Sequence, residues 1–376
     1  MSNVKCLAVR IALVHDWLLN IGGAERVLKE LHNIFPTAPI WVLFYDRKFT
    51  DKFLPEATIS ASWLQKFPLI RKIYPYLFFL MPSAIESLDL SDYDLVISSS
   101  VIFSKGLILK PKTRHICYCY SPTRFLWDRN SEDERKGVLA SLAKHVLRIW
   151  DRQASDRVDE FVAISENVRQ RIQKYYRRDA KVIYPPAPNL NSTTIDQEQL
   201  TIDDSIKCQM SNVKCFYYLI VSRLYPHKNI KLAVKVFNKL KHELVIVGNG
   251  PLKNKLQKIA SKNIKFPGHV SDEELAVYYQ NCKALIMPQE EDFGLTQIEA
   301  MSLSKPVLAL RRGGALETIR EGITGEFFDD PIPEALADGI RRLNENYGNY
   351  SPEEIKKSVS QFSVENFRKQ ILNLIA

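Results

Sequence analysis

The sequence predicts an α/β protein built from two doubly wound parallel sheets. Short apolar runs alternate with helix candidates in both halves of the chain, which is typical of parallel β-α-β units. A proline-rich stretch and a polar segment with little periodicity separate the two halves. The chain has 376 residues, 45% of them hydrophobic, which is enough to bury two cores of ordinary domain size.

The first half begins with a strand at Ile11 to Val14, followed by a helix at Ala24 to Phe35, as the apolar spacing predicts. Further strands are predicted at 40–44, 95–98 and 115–120. Prolines at 185, 186 and 188 then stop regular structure. The polar residues 189–212 are predicted to be the interdomain linker.

The second half repeats the alternation, with strands predicted at 217–221, 243–247, 264–266, 284–287 and 306–309. A final helix is predicted at 362–374. The hexapeptide Met-Ser-Asn-Val-Lys-Cys occurs at 1–6 and again at 210–215, before the first strand of each half. Six residues without further identity do not indicate a duplication, and we assign them no function.

The charge and the cysteines limit the possible partners. The net charge of +9 suits nucleotide phosphates or anionic lipid, and nothing resembles the strands or zinc fingers of nucleic-acid readers. Cys117 and Cys119 share one face of a strand, but no Cys-x-x-Cys or His-x-His cluster completes a metal site. We therefore expect buried, reduced thiols and no metal.

The amino terminus has no apolar signal core, so we expect a cytoplasmic protein.

The segment from Trp63 to Ser83 interleaves three basic residues with many aromatic and aliphatic ones. No uninterrupted apolar run is long enough to cross a bilayer. A basic and aromatic patch of this kind can lie in a lipid interface. It can equally be the packing layer of one domain, and both interpretations stay open.

An acidic loop follows the predicted strand at 284–287, and two carboxylates, Glu291 and Glu299, flank the turn at Gly294. Ligands of open α/β sheets bind outside the carboxyl ends of the strands. A carboxylate accepts two hydroxyl hydrogen bonds at once, so each glutamate suits a vicinal diol of a sugar or ribose. Taken alone, such a pair is more typical of a solvated loop and a helix surface.

Basic residues follow the strand at 217–221 in the same way. Arg223 lies at its carboxyl end, and Lys228 is predicted in the first turn of a helix that begins near Asn229. A cation there opposes the helix dipole unless an anion binds, and a diphosphate would satisfy both side chains. The alternative is an ion pair at Arg223 and a solvated Lys228.

The first half shows a weaker signal of the same type. Gly22 and Gly23 lie between a strand and a helix, where glycine permits close approach of the backbone to a phosphate or sugar. Two glycines before a helix mostly indicate a turn. Asp16 and Trp17 follow the same strand and could face an acceptor.

These segments share a motif pattern that extends over nearly the whole chain. It comprises His15-Asp16-Trp17, Gly22-Gly23-Ala24-Glu25-Arg26, Tyr118-Cys119-Tyr120-Ser121-Pro122, Arg124, Trp127-Asp128, Val221-Ser222-Arg223-Leu224, Lys228-Asn229, Val247-Gly248-Asn249-Gly250-Pro251, Glu291-x7-Glu299 and Gly313-Gly314-Ala315-Leu316-Glu317-Thr318. The pattern resembles the retaining glycosyltransferases with the GT-B fold, in the large family that contains bacterial mannosyltransferases. Its combination is most similar to the subgroup that adds mannose to lipid-linked O-antigen or polysaccharide precursors.

The resemblance implies two Rossmann-like domains facing a cleft. Residues 1–188 would form the acceptor-side domain, which the carboxy-terminal helix at 360–376 would join, and 213–359 would bind the nucleotide sugar. The donor is expected to be GDP-mannose and the acceptor a lipid-linked saccharide at the cytoplasmic face of the membrane, with no metal required. Two other functions stay open: a nucleotide-sugar epimerase with the same fold, and a catalytically weakened binding protein.

The resemblance also assigns residues to roles. The catalytic set is Arg223, Lys228 and Glu291. The donor and nucleotide set is Gly22, Gly23, Gly248, His269, Val270, Phe293, Gly294, Leu295, Thr296 and Glu299. The acceptor-side set is Asp16, Trp17, Tyr120 and Arg124. Tyr120 departs from the family pattern, which has histidine there, and a phenol that titrates near pH 10 cannot supply a charge that the histidine would carry.

Overall fold

A computed structural model describes residues 9–128, 137–187 and 217–375. The predicted linker at 189–212 and both copies of the hexapeptide lie outside these residues. The chain divides into two compact units, one comprising Met1–Pro185 with Phe367–Ala376 and the other Pro186–Asn366. Each unit contains one parallel sheet with helices around it.

The first unit contains a parallel sheet of seven strands in the order β3-β2-β1-β4-β5-β6-β7. The strands are β1 Ile11–His15, β2 Ile40–Val42, β3 Ile59–Ala61, β4 Leu95–Ser100, β5 Arg114–Cys119, β6 Glu160–Ala163 and β7 Ala180–Val182. The helices are α1 Gly23–Ile34, α2 Arg47–Phe53, α3 Ile70–Ile73, α4 Met81–Glu86, α5 Arg124–Trp127, α6 Val138–Asp156 and α7 Glu166–Tyr176. β1 is buried because it pairs with β2 on one side and with β4 on the other.

The second unit contains a parallel sheet of six strands in the order β10-β9-β8-β11-β12-β13. The strands are β8 Tyr217–Val221, β9 Leu244–Val247, β10 Ile264–Gly268, β11 Cys282–Met287, β12 Val307–Leu310 and β13 Gly325–Phe328. The helices are α8 Ile230–Leu240, α9 Lys253–Ile259, α10 Asp272–Asn281, α11 Leu295–Ser302, α12 Ala315–Thr318, α13 Pro333–Glu345 and α14 Pro352–Ser358, with α15 Val364–Ile375 at the end of the chain.

All nine predicted strands are present, and their ends agree within a few residues. The sequence analysis missed four strands, β3, β6, β7 and β13, each of only three or four residues. The predicted final helix is present as α15, and from Phe367 onward it belongs to the first unit. The ring of Phe367 lies 5.9 Å from that of Tyr118 in β5. No helix among the described residues has the length and apolar character that a bilayer crossing requires.

Both sheets reverse their winding direction beside their first strand. In the first unit this switch point lies between β1 and β4, and in the second it lies between β8 and β11. Loops leave the sheet in opposite directions there, which opens a crevice at the carboxyl ends of the two strands. A functional site is therefore expected in the loops that follow β1, β4, β8 and β11.

Candidate active site

The switch point of the second sheet brings Lys228 and Glu291 together. Lys228 follows β8, Glu291 follows β11, and the lysine Nζ lies 2.5 Å from the glutamate Oε1. Lys228 is only 7% exposed, so its ammonium group is largely removed from water. The side-chain amide of Gln289 donates to the same glutamate oxygen at 3.0 Å. Two of the three residues that the resemblance assigned to catalysis therefore form an ion pair within one loop cluster.

Asn229 connects the two loops of this pair. Its backbone has a φ of 53°, a conformation that asparagine tolerates better than most residues, and its side-chain amide donates to the carbonyl of Pro288 at 3.0 Å. α8 begins at Ile230, one residue after the predicted start near Asn229, but Lys228 lies before the helix, at the end of the 3₁₀ turn Pro226–Lys228. The ammonium group thus approaches Glu291 from a tight turn and not from the first turn of a helix.

The glycine pair after β12 holds the acidic loop in place. The backbone N–H of Gly314 donates to the carbonyl of Glu291 at 2.9 Å. A Cβ on Gly314 would lie 2.4 Å from the Cα of Phe293, so a side chain there must displace the loop. Gly294 precedes α11 with a φ of 93°, which only glycine adopts easily. The loop around Glu291 is therefore fixed by the backbone itself.

Glu299 lies in α11 and is buried, with an exposed fraction of 6%. The hydroxyl of Tyr279, in α10, donates to its Oε2 at 2.7 Å. Leu295 and Thr296 begin the same helix and are partly exposed. A buried carboxylate requires a hydrogen-bond partner, and Tyr279 supplies one. This bond also fixes the orientation of Glu299 behind the acidic loop.

The remaining residues that the resemblance assigned to the donor and nucleotide lie along the same edge of the sheet. Arg223 is exposed and its guanidinium carbon lies 5.8 Å from the ring centroid of Tyr225. Gly248 follows β9, and a Cβ there would lie 2.0 Å from the carbonyl oxygen of Ser222. His269 and Val270 follow β10. Because the strands are parallel, these loops share the carboxyl edge with the pair of Lys228 and Glu291.

In the first unit, Asp16 has a structural role. It is 1% exposed, and its two carboxylate oxygens accept the backbone N–H groups of Val101, Ile102, Phe103 and Ser104. The prediction that Asp16 faces the acceptor does not fit this placement, because all of these bonds turn its carboxylate toward the loop after β4. Asp16 instead fixes the backbone at the switch point of the first sheet.

A polar cluster lies beside that loop. His15 at the end of β1 contacts Ser99 through Nδ1 and lies 3.7 Å from Glu25 through Nε2. Burial alone would lower the pKa of His15, but the Glu25 and Asp16 carboxylates and the hydrogen bond to Ser99 together outweigh it, so the pKa lies above its ordinary value. The Tyr120 hydroxyl bonds to the Ser99 hydroxyl at 2.9 Å and donates to the Ala24 carbonyl at 3.0 Å. Burial raises the pKa of Tyr120 well above its ordinary value, so the phenol is neutral.

The other residues that the resemblance assigned to the acceptor side differ in their surroundings. Trp17 is partly buried and stacks on Phe44 with a centroid distance of 5.8 Å. Arg124 begins α5, which the buried Asp151 anchors by accepting hydrogen bonds from Thr123 and from the indole of Trp127. Gly22 precedes α1, and its backbone is close enough to Glu25 that a Cβ would lie 2.7 Å from the carboxylate.

Sequence reasoning assigned no site role to several residues that the structure places here. Glu25 and Asn229 lay within the quoted motifs, so their positions in the pattern could have indicated them. Gln289 and Tyr279 belong to no motif. Their partners, Glu291 and Glu299, became visible only when the loops and α10 were in place.

Two family models match the chain and together cover most of it. Glycosyltransferase Family 4 matches residues 21–188, and Glycosyl transferases group 1 matches residues 203–361. The chain is a glycosyltransferase. The second match contains the pair of Lys228 and Glu291, and the first contains the cluster around Tyr120.

Relatives of this glycosyltransferase are distant in sequence. The alpha-1,3/1,6-mannosyltransferase of Mus musculus is 22% identical over 370 residues, which is 86% of this chain and 85% of that protein. An uncharacterised glycosyltransferase of Methanocaldococcus jannaschii is 24% identical over 227 residues. That match covers 59% of this chain and 58% of the relative, so it spans little more than half of either protein.

The fold agrees with the family. The structure of HepE from Anabaena in complex with UDP superposes with a TM-score of 0.71 at 17% identity, covering 98% of this chain and 99% of that one. HepE has also been solved with UDP-glucose. The two Rossmann-like units of this glycosyltransferase therefore have the GT-B fold, as the sequence predicted.

Proposed function

We propose that this glycosyltransferase transfers mannose from GDP-mannose, with retention, onto a lipid-linked saccharide in cell-surface polysaccharide or O-antigen biosynthesis. The observation that carries the proposal is the ion pair of Lys228 and Glu291 at the switch point of the second sheet. An ammonium and a carboxylate held together there suit a ligand with a diphosphate and a sugar joined to each other.

The donor would bind as follows. Lys228 and the exposed Arg223 would contact the diphosphate, Glu291 would accept hydrogen bonds from the sugar, and the buried Glu299 from the ribose. Phe293 and Gly294 would supply backbone contacts. The fixed loops after β11 and β12 give these groups their positions before the donor arrives, which reduces the cost of ordering them on binding.

The chemistry requires charge stabilisation at the leaving group. Transfer builds positive charge at the anomeric carbon and negative charge on the departing phosphate oxygen. A fixed cation aimed at such an oxygen is worth about 3 to 4 kcal/mol in other enzymes. We propose that Lys228 and Arg223 supply this charge without a metal ion, so that a chelator should leave turnover unchanged.

The choice of mannose is supported by the murine relative, which is named a mannosyltransferase and matches most of both chains. UDP-glucose is the competing donor, since HepE binds it. On the acceptor side, Tyr120, Trp17 and Arg124 would face the acceptor. We add Glu25, whose carboxylate beside His15 can accept a hydroxyl hydrogen bond.

The test is a donor panel. The protein is incubated with GDP-mannose, UDP-glucose and related nucleotide sugars, with and without a membrane lipid extract, and nucleotide release is measured. Lipid-dependent release of GDP supports the proposal, and the anomeric configuration of the product, measured by NMR, tests retention. Formation of an epimer without lipid would identify an epimerase, and binding without turnover would identify a binding protein.

The residue roles are tested in the same assay. Lys228→Ala and Glu291→Ala are each expected to lower turnover about 100-fold or more while the protein stays folded. Arg341→Ala is the matched control, because Arg341 forms exposed ion pairs with Asp338 and Glu345 on α13. If both site variants turn over at the rate of this control, the proposed site is wrong.

A further inference from the structure

Helix α6 exposes a stripe of large apolar side chains. Val138, Leu142, Val146 and Ile149 are spaced at one helical turn each, and their exposed fractions are 85%, 59%, 55% and 48%. The opposite face of the helix is buried, with Leu147 in the core. Single exposed apolar residues are common on protein surfaces. Four of them at helical spacing form a continuous apolar stripe, which is typical of an interaction surface.

The helix that carries the α6 stripe is basic over this stretch. Lys144 and Arg148 lie on it, and residues 137–150 contain no acidic residue. Arg148 is oriented by its hydrogen bond to the carbonyl of Leu126 and lies over the ring of Trp127. An apolar stripe flanked by cations is typical of a helix that lies in the interface of an anionic bilayer.

A second segment of the first unit has the same character. The basic aromatic segment, Trp63 to Ser83, exposes Leu69, Tyr76 and Phe79 together with Lys66 and Lys72. Residues 57–85 contain no acidic residue. The sequence left open whether this segment packs or binds lipid. In the structure, Phe78 packs against the core, whereas Leu69, Tyr76 and Phe79 face solvent, so packing accounts for only part of the segment.

The two segments contact the same buried aromatic residue, Phe103. The ring of Phe78 lies 5.4 Å from that of Phe125 and 4.9 Å from that of Phe103. The ring of Phe103 lies in turn 5.6 Å from that of Trp150, on α6. One aromatic layer therefore supports both the α6 stripe and the basic aromatic segment.

We propose that the α6 stripe and the basic aromatic segment together form a docking surface for an anionic lipid bilayer. Apolar side chains would enter the headgroup region while the lysines contact anionic headgroups. The inference deepens the proposed function, because a lipid-linked acceptor is presented at such a surface. It rests on the exposed residues alone and can be tested without turnover.

The experiment compares binding of the whole protein to phosphatidylcholine vesicles with and without phosphatidylglycerol, measured by co-sedimentation. The wild type is expected to bind the anionic vesicles more tightly, and added salt should weaken this binding. The triple variant Leu142→Ser, Val146→Ser, Ile149→Ser should bind roughly tenfold or more weakly. The variant Lys66→Gln, Lys72→Gln should lose the preference for anionic vesicles.

The matched control replaces three exposed apolar residues of the second unit, Leu240→Ser, Ile259→Ser, Ile332→Ser, and should bind like the wild type. Equal vesicle binding by wild type and triple stripe variant would overturn the proposal, as would the absence of binding by the wild type.

Sedimentation velocity tests whether the protein self-associates. If the wild type self-associates and the stripe variant does not, this face is an interface between copies and the proposal is wrong. Donor binding by the stripe variant should stay at the wild-type level, so a wrong donor assignment and a wrong docking surface give different results.

Discussion

Lys228 Nζ and Glu291 Oε1 lie 2.5 Å apart, although 63 residues separate them in the chain. Each follows a strand at the switch point of the second sheet, and Asn229 ties the two loops together. The pair is partly buried, so each charge depends on the other for compensation. A bound diphosphate would offer Lys228 a second anion. The ammonium group would then contact both Glu291 and the ligand.

The first prediction concerns Glu291→Gln. The amide keeps the shape of the side chain but removes the charge that Lys228 neutralises, so the ammonium becomes more available to a diphosphate. GDP or UDP is expected to bind as tightly as in the wild type or more tightly, whereas turnover falls about 100-fold because the sugar loses its carboxylate partner. Calorimetry measures the first effect and nucleotide release the second. Equal losses of binding and turnover would show that Glu291 does not act on the sugar.

The second prediction concerns Gly314→Ala. A Cβ at this position would meet the Cα and the carbonyl oxygen of Phe293 at 2.4 and 2.5 Å, so the acidic loop must shift. We expect turnover to fall at least tenfold because Glu291 moves with that loop. Gly348→Ala is the control, since nothing lies within 4 Å of its added Cβ. Turnover of the Gly314 variant equal to that of the control would mean that the loop tolerates displacement.

The third prediction concerns Tyr120, at a position where the motif pattern that the sequence resembles has histidine. Tyr120→Phe removes the bonds to the Ser99 hydroxyl and the Ala24 carbonyl and should cost about 1 kcal/mol of unfolding free energy. Tyr120→His keeps a donor at this position and should preserve or raise turnover. Urea unfolding and nucleotide release measure the two effects. Loss of turnover in both the histidine and the phenylalanine variant would show that the phenol itself is required.

The sequence predicted the strands and the approximate position of the site because both depend on local patterns. Apolar runs indicated the buried strands, and the carboxyl end of each run indicated the edge on which Arg223, Lys228 and Glu291 lie. The role of Asp16 could not be predicted in this way, because its partners are backbone N–H groups about 85 residues away. The short strand β13 was missed because Gly325–Phe328 has little apolar alternation and is fixed by pairing with β12.

The last prediction concerns His115 and the stability of the first unit at acid pH. His115 lies in β5, is 1% exposed, and its Nε2 contacts the Ser98 hydroxyl at 2.8 Å. Burial lowers the pKa of His115 from 6.5 to about 4, although the charge of Asp159 opposes this. Between these two values the unfolded chain binds a proton that the folded chain does not, so stability rises with pH there and is lost as the pH falls from 6.5 toward 4.

The shift corresponds to about 3 kcal/mol of unfolding free energy, fully present above pH 6.5. His115→Gln has no proton to gain, so its unfolding free energy should change about 3 kcal/mol less than that of the wild type between pH 7 and pH 4. Urea unfolding at several pH values measures the difference. Carboxylates that titrate in the same range are common to both proteins and cancel in the comparison. His242→Gln, at an exposed position, is the control and should follow the wild type. If His115→Gln has the same pH dependence as this control, the buried imidazole does not set the acid stability of the unit.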